Sequence, residues 1–398
     1  MPQSAVAARE ISDGRRWAML GVSTAAQAAA AVTIHGPAFL IPVLVARRGL
    51  TLTEAGTVAA MSMIGVVCTL VLWGVVVDRL GERVALLAGL GLTCLAGVGA
   101  ALTDSTPALA IALFCAGAAA ASTASASGRV VVGWFPPERR GLAMGIRQMA
   151  QPAGVGIAAI SIAVLADEHG ISVALAVPAI AAAVAAAAVF VVVIDPPRPD
   201  RATSPAPNPY RADSYLRKIH TSSVLLVVPQ FLVWTYALVW LLDDRGWEPA
   251  AAGALVAGTQ VLGALGRIAS GQLSDMVGGR MRPLRWIAIA ASLTMALLGL
   301  TAWLGWTVSI ALLALATIVT VADNGLAFTA VAERAGPFWS GRSLGVHNTA
   351  QYVTAAICAP AAGATITLLG YPATFALAAL FPMLAIGLVP VRQERPLT

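Results

Sequence analysis

Long apolar runs alternate with short polar segments along most of the chain. About 20 consecutive apolar residues cross the hydrocarbon core of a bilayer as one helix, and a helix satisfies its own backbone polar groups there. The pattern predicts an all-α polytopic membrane protein. We expect twelve transmembrane helices, over residues 17–45, 53–77, 84–103, 107–134, 141–166, 171–194, 219–242, 249–274, 284–305, 307–332, 341–369 and 371–391.

The longest polar connection lies between the sixth and seventh apolar runs. It is rich in Pro, Ser, Arg and Asp, a composition that favours a flexible linker between two helix bundles. The predicted organisation is a cytoplasmic N-terminal tail at 1–16, an N-terminal six-helix bundle at 17–194, a cytoplasmic linker at 195–218, a C-terminal six-helix bundle at 219–391 and a cytoplasmic tail at 392–398.

Composition and charge agree with a membrane protein. The chain of 398 residues is 58% hydrophobic and 11% charged, which excludes an ordinary soluble domain. Its net charge of +6 reflects the orientation of the protein in the membrane rather than a nucleic-acid partner, because loops rich in Lys and Arg remain cytoplasmic. With both termini inside, only Arg47, Arg48 and Arg245 among the loop cations face outward. We therefore predict a multi-pass inner-membrane protein, surrounded by lipid, with both termini cytoplasmic.

No pattern in the chain points to catalysis. The four cysteines lie in apolar runs without the spacing of metal ligands and are expected to be small core residues. Phosphate-binding loops and paired histidines one helical turn apart do not occur in the sequence. We therefore expect a protein that is not an enzyme, uses no metal or cofactor, functions as a monomer and draws its energy from an ion gradient.

One polar segment recurs about half a chain length later. Residues 74–83 read GVVVDRLGER, and residues 271–280 read GQLSDMVGGR. A second repeat joins the fifth and eleventh runs, where Gly141, Gly145, Arg147, Gln148 and Gln151 recur as Gly341, Gly345, His347, Asn348 and Gln351. These paired segments predict two halves of related structure.

The first pair of segments resembles the loops between helices 2 and 3 and between helices 8 and 9 of the major facilitator superfamily, although Val84 stands where a second basic residue is usual. The resemblance implies two pseudo-symmetric six-helix bundles that transport by alternating access. It also implies that Asp78 braces the eleventh helix near Arg342, and Asp275 the fifth near Arg140. The gating set assigned on this basis is Asp78, Arg79, Gly81, Arg83, Asp275, Arg280, Arg140 and Arg342.

Ionisable side chains within the apolar runs are functional candidates, because charge is costly inside a membrane. The six that qualify are His35, Arg129, Arg147, Arg267, Asp323 and His347. Arg129 is expected either to reach the inner face or to pair with an acid there. His35 precedes Gly36 and Pro37 and is expected to belong to a helix bend rather than a binding site.

Two arginines are the predicted anion ligands. Arg147 lies about 9 Å inside Gly141 by helical rise, and a guanidinium at that depth binds a carboxylate through two parallel hydrogen bonds. Pairing with a neighbouring helix end is its structural alternative. Arg267 resembles the eighth-helix arginine that holds the substrate carboxylate in monocarboxylate and oxalate transporters, although Gly263 replaces the Asp of the monocarboxylate branch. A packing role is the alternative for Arg267.

Asp323 and His347 are the predicted proton-coupling residues. Asp323 lies about 15 Å from Glu333 by helical rise, near the midplane, where a carboxyl can exchange protons. A fixed ion pair with an arginine is its alternative. His347 takes the repeat position of Arg147 and is expected to contact substrate as well, since imidazole titrates near physiological pH. The other predicted substrate-binding residues are Gln151, Asn348, Gln27, Gln230 and Trp234.

These residues favour proton-coupled transport of a small, carboxylate-type anion, because two arginines and a histidine accompany a single acid. A proton-driven exporter of drug-like or cationic compounds, with Asp323 as the cation site, is the main alternative. The glycine-rich exporter signature is matched only in part by residues 151–156, which disfavours it. Sodium coupling, a passive uniporter and a non-transporting sensor of the same fold stay open at this point.

Overall fold

The computed structural model describes residues 11–198 and 207–395, and all regular elements in this part are helical. Parts of the predicted N-terminal tail, linker and C-terminal tail lie outside the described residues. The helices are α1 (Asp13–His35), α2 (Ile41–Arg48), α3 (Leu52–Leu80), α4 (Glu82–Ala101), α5 (Thr106–Trp134), α6 (Pro137–Gln148), α7 (Ala150–His169), α8 (Ile171–Val192), α9 (Pro209–Ala212), α10 (Tyr215–Asp243), α11 (Pro249–Val277), α12 (Met281–Trp303), α13 (Val308–Val319), α14 (Asp323–Ala335), α15 (Ser340–Ala378) and α16 (Leu380–Leu388), with 3-10 turns at Gly36–Leu40 and Val391–Gln393.

Eleven helical segments of the described residues are long and apolar enough to cross a membrane. The last one, Ser340–Gln393, contains 54 residues and is interrupted at Gly370, whose φ of +81° is left-handed. It therefore holds the eleventh and twelfth predicted runs. The fifth run consists of α6 and α7, and the tenth consists of α13 and α14. The predicted all-α polytopic class is confirmed.

Helix starts follow from local capping. The Ser12 side chain accepts a hydrogen bond from the Arg15 N–H at the beginning of α1. Thr51 and Glu54 form a reciprocal capping box at the beginning of α3, in which the Glu54 carboxylate accepts the Thr51 N–H at 2.8 Å. These contacts satisfy backbone donors that the first helical turn leaves without partners.

The described residues form two compact units. The first comprises the described part of Met1–Phe135 and Ala150–Ala206 together with Gly336–Gly345. The second comprises Pro136–Met149 and the described parts of Pro207–Ala335 and Val346–Thr398. Helix α6 thus belongs to the second unit and the first residues of α15 to the first, so each unit takes a short segment from the other half of the chain.

In the first unit, small residues bring helices into backbone contact. A Cβ at Gly117 of α5 would lie 1.9 Å from the carbonyl oxygen of Ser62 in α3, and one at Gly65 would lie 2.1 Å from that of Phe114. Such contacts are typical of membrane helices, where lipid tails are as apolar as Leu and close packing replaces the hydrophobic effect as the driving force.

The second unit has a denser aromatic core. Trp240 of α10 is fully buried and meets Phe375 of α15 edge-on, with ring centroids 5.5 Å apart. Leu298 of α12 and Leu313 of α13 belong to the same core cluster. This core holds α10, α12, α13 and α15 together on one side of the unit.

Glycines of the repeated segments bring helices into backbone contact in both units. Gly74 of α3 faces Gly341 of α15 in the first unit, where a Cβ on either would lie 2.5 Å from the other's carbonyl oxygen. In the second unit Gly271 of α11 faces Gly141 of α6, with corresponding distances of 2.2 and 2.3 Å. The repeat seen in the sequence is therefore a repeat of one helix-crossing geometry.

We expect Gly271→Ala to destabilise the protein, because the added methyl group would meet the α6 backbone. Overpacking of this kind costs about 1–3 kcal/mol. Gly91→Ala in α4 is the matched control, since nothing lies within 4 Å of its Cβ position and alanine favours a helix. Thermal unfolding in detergent would show a lower midpoint for Gly271→Ala alone. Equal midpoints for the two variants would contradict the close crossing.

Candidate functional site

Two charged residues of the second unit lie where transmembrane helices are interrupted. Arg147 is in the last turn of α6, which ends at Gln148, and Asp323 begins α14 after a turn at 320–322. A cation near a helix C-terminus and an anion near an N-terminus are both stabilised by the helix dipole. Interrupted helices of this kind line substrate and ion sites in transporters.

Glycines bring the helices that carry these charges together. A Cβ at Gly145 of α6 would lie 2.5 Å from the carbonyl oxygen of Arg267 in α11. Gly325 of α14 faces Gly145, whose Cα is 3.5 Å from the Gly325 Cβ position. A side chain larger than glycine at Gly145 would push apart the helices that hold Arg147 and Arg267, whereas the Gly325 position is at ordinary van der Waals distance from Gly145.

Gln148 connects the two buried arginines. Its side-chain Oε1 accepts a hydrogen bond from Nη1 of Arg147 at 2.8 Å, and its backbone oxygen accepts one from Nη1 of Arg267 at 2.9 Å. Each guanidinium also lies over an aromatic ring, Arg147 at 5.6 Å from the centroid of Phe328 and Arg267 at 5.8 Å from that of Trp234. Both arginines are almost fully buried, with 1% and 3% exposure.

Asp323 is the buried acid of this cluster. It is 1% exposed, and neither carboxyl oxygen has a hydrogen-bond partner among the described residues. Arg267 is close enough to interact with it electrostatically, yet no ion pair joins the two side chains in the described part of the chain. The fixed ion pair considered for Asp323 is therefore not formed in this structure.

A chain of amides follows Asp323. The Nδ2 of Asn324 donates to Oε1 of Gln230 at 3.0 Å, and Nε2 of Gln351 donates to Oδ1 of Asn324 at 3.1 Å and to Oγ of Ser223 at 2.7 Å. The network joins α10, α14 and α15 next to Asp323. Satisfied amides of this kind fix side-chain positions in an apolar interior.

Two histidines lie in direct contact within the second unit. Nδ1 of His220 in α10 is 2.9 Å from Nδ1 of His347 in α15, and Nε2 of His220 is 2.9 Å from the hydroxyl of Tyr210 in α9. The His347 and Phe328 rings form a T-shaped pair at a centroid distance of 4.7 Å. Phe328 therefore contacts both the His347 ring and the Arg147 guanidinium.

The structure gathers seven of the predicted binding and coupling residues in the second unit. These are Arg147, Arg267, Asp323, His347, Asn348, Gln230 and Trp234. Asn348 follows His347 in the same unit and is 8% exposed. Gln27 and Gln151 belong to the first unit instead, where Gln27 accepts a hydrogen bond from the Ser127 hydroxyl at 3.0 Å.

In the first unit, Asp78 receives backbone donors from the start of α15. Its Oδ1 accepts the Gly341 N–H at 2.8 Å, and its Oδ2 accepts both the N–H and the Nε of Arg342 at 3.1 and 2.8 Å. The carboxylate is 3% exposed and satisfies orphan donors of a helix N-terminus.

Asp275 repeats this arrangement in the second unit. It accepts the N–H groups of Gly141 at 2.9 Å and Leu142 at 2.8 Å. Its cationic partner is Arg280, which also contacts Glu333 at 3.2 Å, whereas the predicted neighbour Arg140 lies 3.5 Å from Glu333. Arg280 reaches back to Asp275 because Gly278, with φ of +69°, reverses the chain between them.

The remaining gating candidates lie around the same turn of the first unit. Gly81 ends α3 with φ of +106°, the side chain of Arg79 is exposed, and the N–H of Arg83 donates to the Asp195 carboxylate at 2.7 Å. Beside them, Arg129 pairs with buried Glu82 at 3.3 Å. Of the two expectations for Arg129, pairing with an acid is the one observed.

Sequence reasoning missed four residues of the cluster, namely Gln148, His220, Phe328 and Tyr210. Gln148 could have been predicted from the sequence, since it adjoins Arg147 and belongs to the repeated segment. His220 lies at the edge of the seventh apolar run, so its position in the sequence does not predict that it is buried. Tyr210 and Phe328 are ordinary residue types in a linker and an apolar run, and only tertiary packing brings them to the histidines.

We expect Asp275→Asn to loosen the contact between α11 and α6. An amide offers only one acceptor oxygen, so one buried N–H of Gly141 or Leu142 would lose its partner at a cost of about 1–3 kcal/mol. Hydrogen exchange of peptides covering 137–148 would accelerate, while exposed Asp104→Asn would leave it unchanged. Unaltered exchange in Asp275→Asn would refute the bracing role.

Comparisons with known proteins agree with this architecture. Residues 18–358 match the sequence profile of the Major Facilitator Superfamily. An uncharacterized MFS-type transporter of Mycobacterium tuberculosis is 45% identical over 386 residues, covering 96% of this chain and 86% of the relative.

Solved structures share the fold at low sequence identity. The proton:xylose symporter XylE bound to 6-bromo-6-deoxy-D-glucose superposes with a TM-score of 0.77 at 15% identity, covering 97% of this chain and 98% of XylE. The human organic anion transporter TETRAN superposes with a TM-score of 0.71 at 16% identity, covering 94% and 99%. From the profile match and the transporter relative, together with this shared fold, the chain belongs to the major facilitator superfamily and is a secondary transporter rather than an enzyme.

Proposed function

We propose that this transporter moves a small, carboxylate-type organic anion by alternating access and couples its movement to protons. The observation that carries the proposal is the charge of the buried cluster in the second unit. Arg147 and Arg267 are both almost fully buried there, and Asp323 is the acid that interacts electrostatically with Arg267. A buried excess of positive charge is costly unless an anion compensates it.

The guanidinium of Arg267 can donate a further hydrogen bond to a ligand. One nitrogen donates to the Gln148 backbone, while its buried Nε has no partner among the described residues. A carboxylate suits such a group, because two oxygens accept two parallel N–H bonds. Trp234 supports the guanidinium from its ring face and keeps it oriented.

Asp323 supplies the coupling to protons. An anion that binds Arg267 competes with Asp323 for the same positive charge, so anion binding favours the neutral form of the carboxyl. By linkage, protonation of Asp323 favours anion binding to the same extent. The missing hydrogen bonds to Asp323 fit this role, since a neutral carboxyl is less costly to leave without partners than a carboxylate.

Export of cationic compounds is the second candidate. Asp323 without a hydrogen-bond partner, and the aromatic rings of Trp234 and Phe328 nearby, offer a negative charge and flat apolar surfaces to a lipophilic cation. The two buried arginines disfavour it by repulsion. The fold itself does not choose, because structures that share it include a xylose symporter and an organic anion transporter. A sensor of the same fold would bind ligand without flux.

The inner membrane and cytoplasmic termini belong to the same proposal. They are supported by the distribution of Lys and Arg, because nearly all the loop cations lie on the inner face when both termini are inside. A fluorescent-protein fusion at the C-terminus should be bright in a bacterial host, and an alkaline phosphatase fusion at the same point inactive. The opposite pair of results would reverse the topology.

Proton movement in proteoliposomes tests the function. The full chain is reconstituted with an internal pH-sensitive dye and exposed to lactate, oxalate, cyanate or tetraphenylphosphonium. We expect one of the anions to drive co-directional proton movement, and Arg267→Lys to weaken it, because an ammonium keeps the charge but lacks the fork geometry. A hydrogen bond to a charged group is worth about 1.5–3 kcal/mol, so loss of one of two parallel bonds costs about tenfold or more in affinity.

Arg245→Gln is the matched control for this assay. Arg245 is also an arginine of the second unit that stacks on a tryptophan, Trp240, and donates to the Ala302 backbone, but it lies outside the cluster. Its replacement should leave anion-driven proton movement intact. A response to tetraphenylphosphonium alone, lost in Asp323→Asn and kept in Arg267→Lys, would overturn the anion proposal in favour of cation export.

A further inference from the structure

We propose that Tyr210, His220 and His347 form a proton relay between the linker side of the second unit and its buried charge cluster. The inference rests on the proposed proton coupling and adds a route for the proton. Neither Tyr210 nor His220 is among the residues that the sequence predicts to bind substrate or exchange protons.

Continuous hydrogen bonding over three elements carries the proposal. Tyr210 of α9 is half-buried and lies in the polar connection between the two halves of the chain. Its hydroxyl is 2.9 Å from Nε2 of His220, and the other ring nitrogen of His220 is 2.9 Å from Nδ1 of His347. Exposure falls along this path to 9% at His220 and 1% at His347.

The two ring contacts can exist only in complementary protonation states. Nδ1 faces Nδ1, so one imidazole must donate and the other must accept. When His220 donates, its Nε2 accepts from the Tyr210 hydroxyl and the neutral His347 carries its proton on Nε2. When His347 donates, His220 Nε2–H donates to the Tyr210 oxygen and His347 Nε2 presents a lone pair. These two states interconvert when protons move along the existing hydrogen bonds and one proton is exchanged at each end, at His347 Nε2 and at the Tyr210 hydroxyl.

A complete transfer step takes up one proton at His347 and releases one at Tyr210. A proton binds the lone pair of His347 Nε2, and the Nδ1–H of His347 passes its proton to Nδ1 of His220. His220 in turn passes its Nε2 proton to the Tyr210 oxygen, which releases the hydroxyl proton to water on the linker side. One proton enters and one leaves, every group ends neutral, and reversal of the sequence carries a proton inward.

The inner end of the relay is open to a proton donor. His347 Nε2 is buried and has no hydrogen-bond partner among the described residues. The His347 ring contacts Phe328 of α14, the helix that begins with Asp323. A buried nitrogen that neither donates nor accepts is costly in a static core, and a relay terminus that meets a mobile proton accounts for it.

Charged groups around the path favour transfer over storage. The guanidinium of Arg147 in α6 lies over the Phe328 ring, and Asp323 begins α14. At the linker end Asp213 pairs with Arg334, whose guanidinium lies over the Tyr215 ring. His220 and Tyr210 are the titratable groups that α10 and α9 present to His347. The positive charge of Arg147 raises the energy of an imidazolium at His347, so a proton held there is passed on.

Histidine NMR tests the relay without any substrate. The chain has four histidines, so ring-¹⁵N signals of the full protein in detergent can be assigned by single replacements. We expect His220→Gln to shift both ring nitrogens of His347, and Tyr210→Phe to shift those of both histidines, while exposed His169 stays unchanged. A His347 spectrum that is indifferent to both replacements would overturn the relay.

Flux measurements test its role in transport, with the same probe ions as before. His220→Gln and the conservative Tyr210→Phe should slow proton-coupled net movement about tenfold or more, as loss of a proton-transfer group does. Exchange of labelled probe across the membrane needs no net proton transfer and should persist, and His169→Gln should match the wild type in both assays. Equal loss of exchange and net movement, or no loss of either, would overturn the proposal.

Failure of the relay is distinguishable from failure of the proposed function. If no probe moves protons in the wild-type protein, the anion–proton proposal fails, and the NMR comparison still decides the relay. If the probes move protons normally in both relay variants, the relay fails while the transport proposal stands. Tyr210→Phe keeps the test valid should His220→Gln not fold.

Discussion

Charge buried among apolar helices is costly unless hydrogen bonds or an opposite charge compensate it. Compensation is complete at the repeated motifs, where Asp78 and Asp275 each accept two backbone N–H groups and a guanidinium. It is incomplete at Asp323, whose carboxyl oxygens have no hydrogen-bond partner in the described chain. The same physical cost thus separates residues that hold helices together from the residue to which we assign proton exchange.

The helix crossings are related in the two units, but the buried charged cluster lies in the second unit. In the second unit Gly145 packs on the backbone of Arg267, and in the first Gly345 packs on that of Leu70, the repeat position of Arg267. The helix crossing is the same, but an apolar side chain takes the place of the cation. His347 likewise takes the repeat position of Arg147, yet both lie in the second unit because each unit includes a segment from the other half of the chain. The result is a single cluster with two arginines, one acid and a histidine pair.

Most of the fold was predictable from sequence, because a membrane restricts the backbone to helices and the apolar runs mark their lengths. The family resemblance of the repeated segments also indicated which helices Asp78 and Asp275 brace. Partners were less predictable. Arg280 rather than Arg140 is the cation at Asp275, since the Gly278 turn brings it back, and the contact of His220 with His347 joins residues far apart in sequence. Periodicity gives depth along a helix, whereas pairing depends on how helices rotate and cross.

Calorimetry of anion binding to the purified protein, repeated in buffers of different ionisation enthalpy, tests the central claim most directly. We expect lactate or oxalate to bind with uptake of a proton, and both binding and uptake to be weakened about tenfold or more in Arg267→Lys. Binding of an anion with no proton exchanged would contradict the coupling through Asp323. Binding of tetraphenylphosphonium with proton release, and of no anion, would contradict the assignment of the arginine cluster as an anion site.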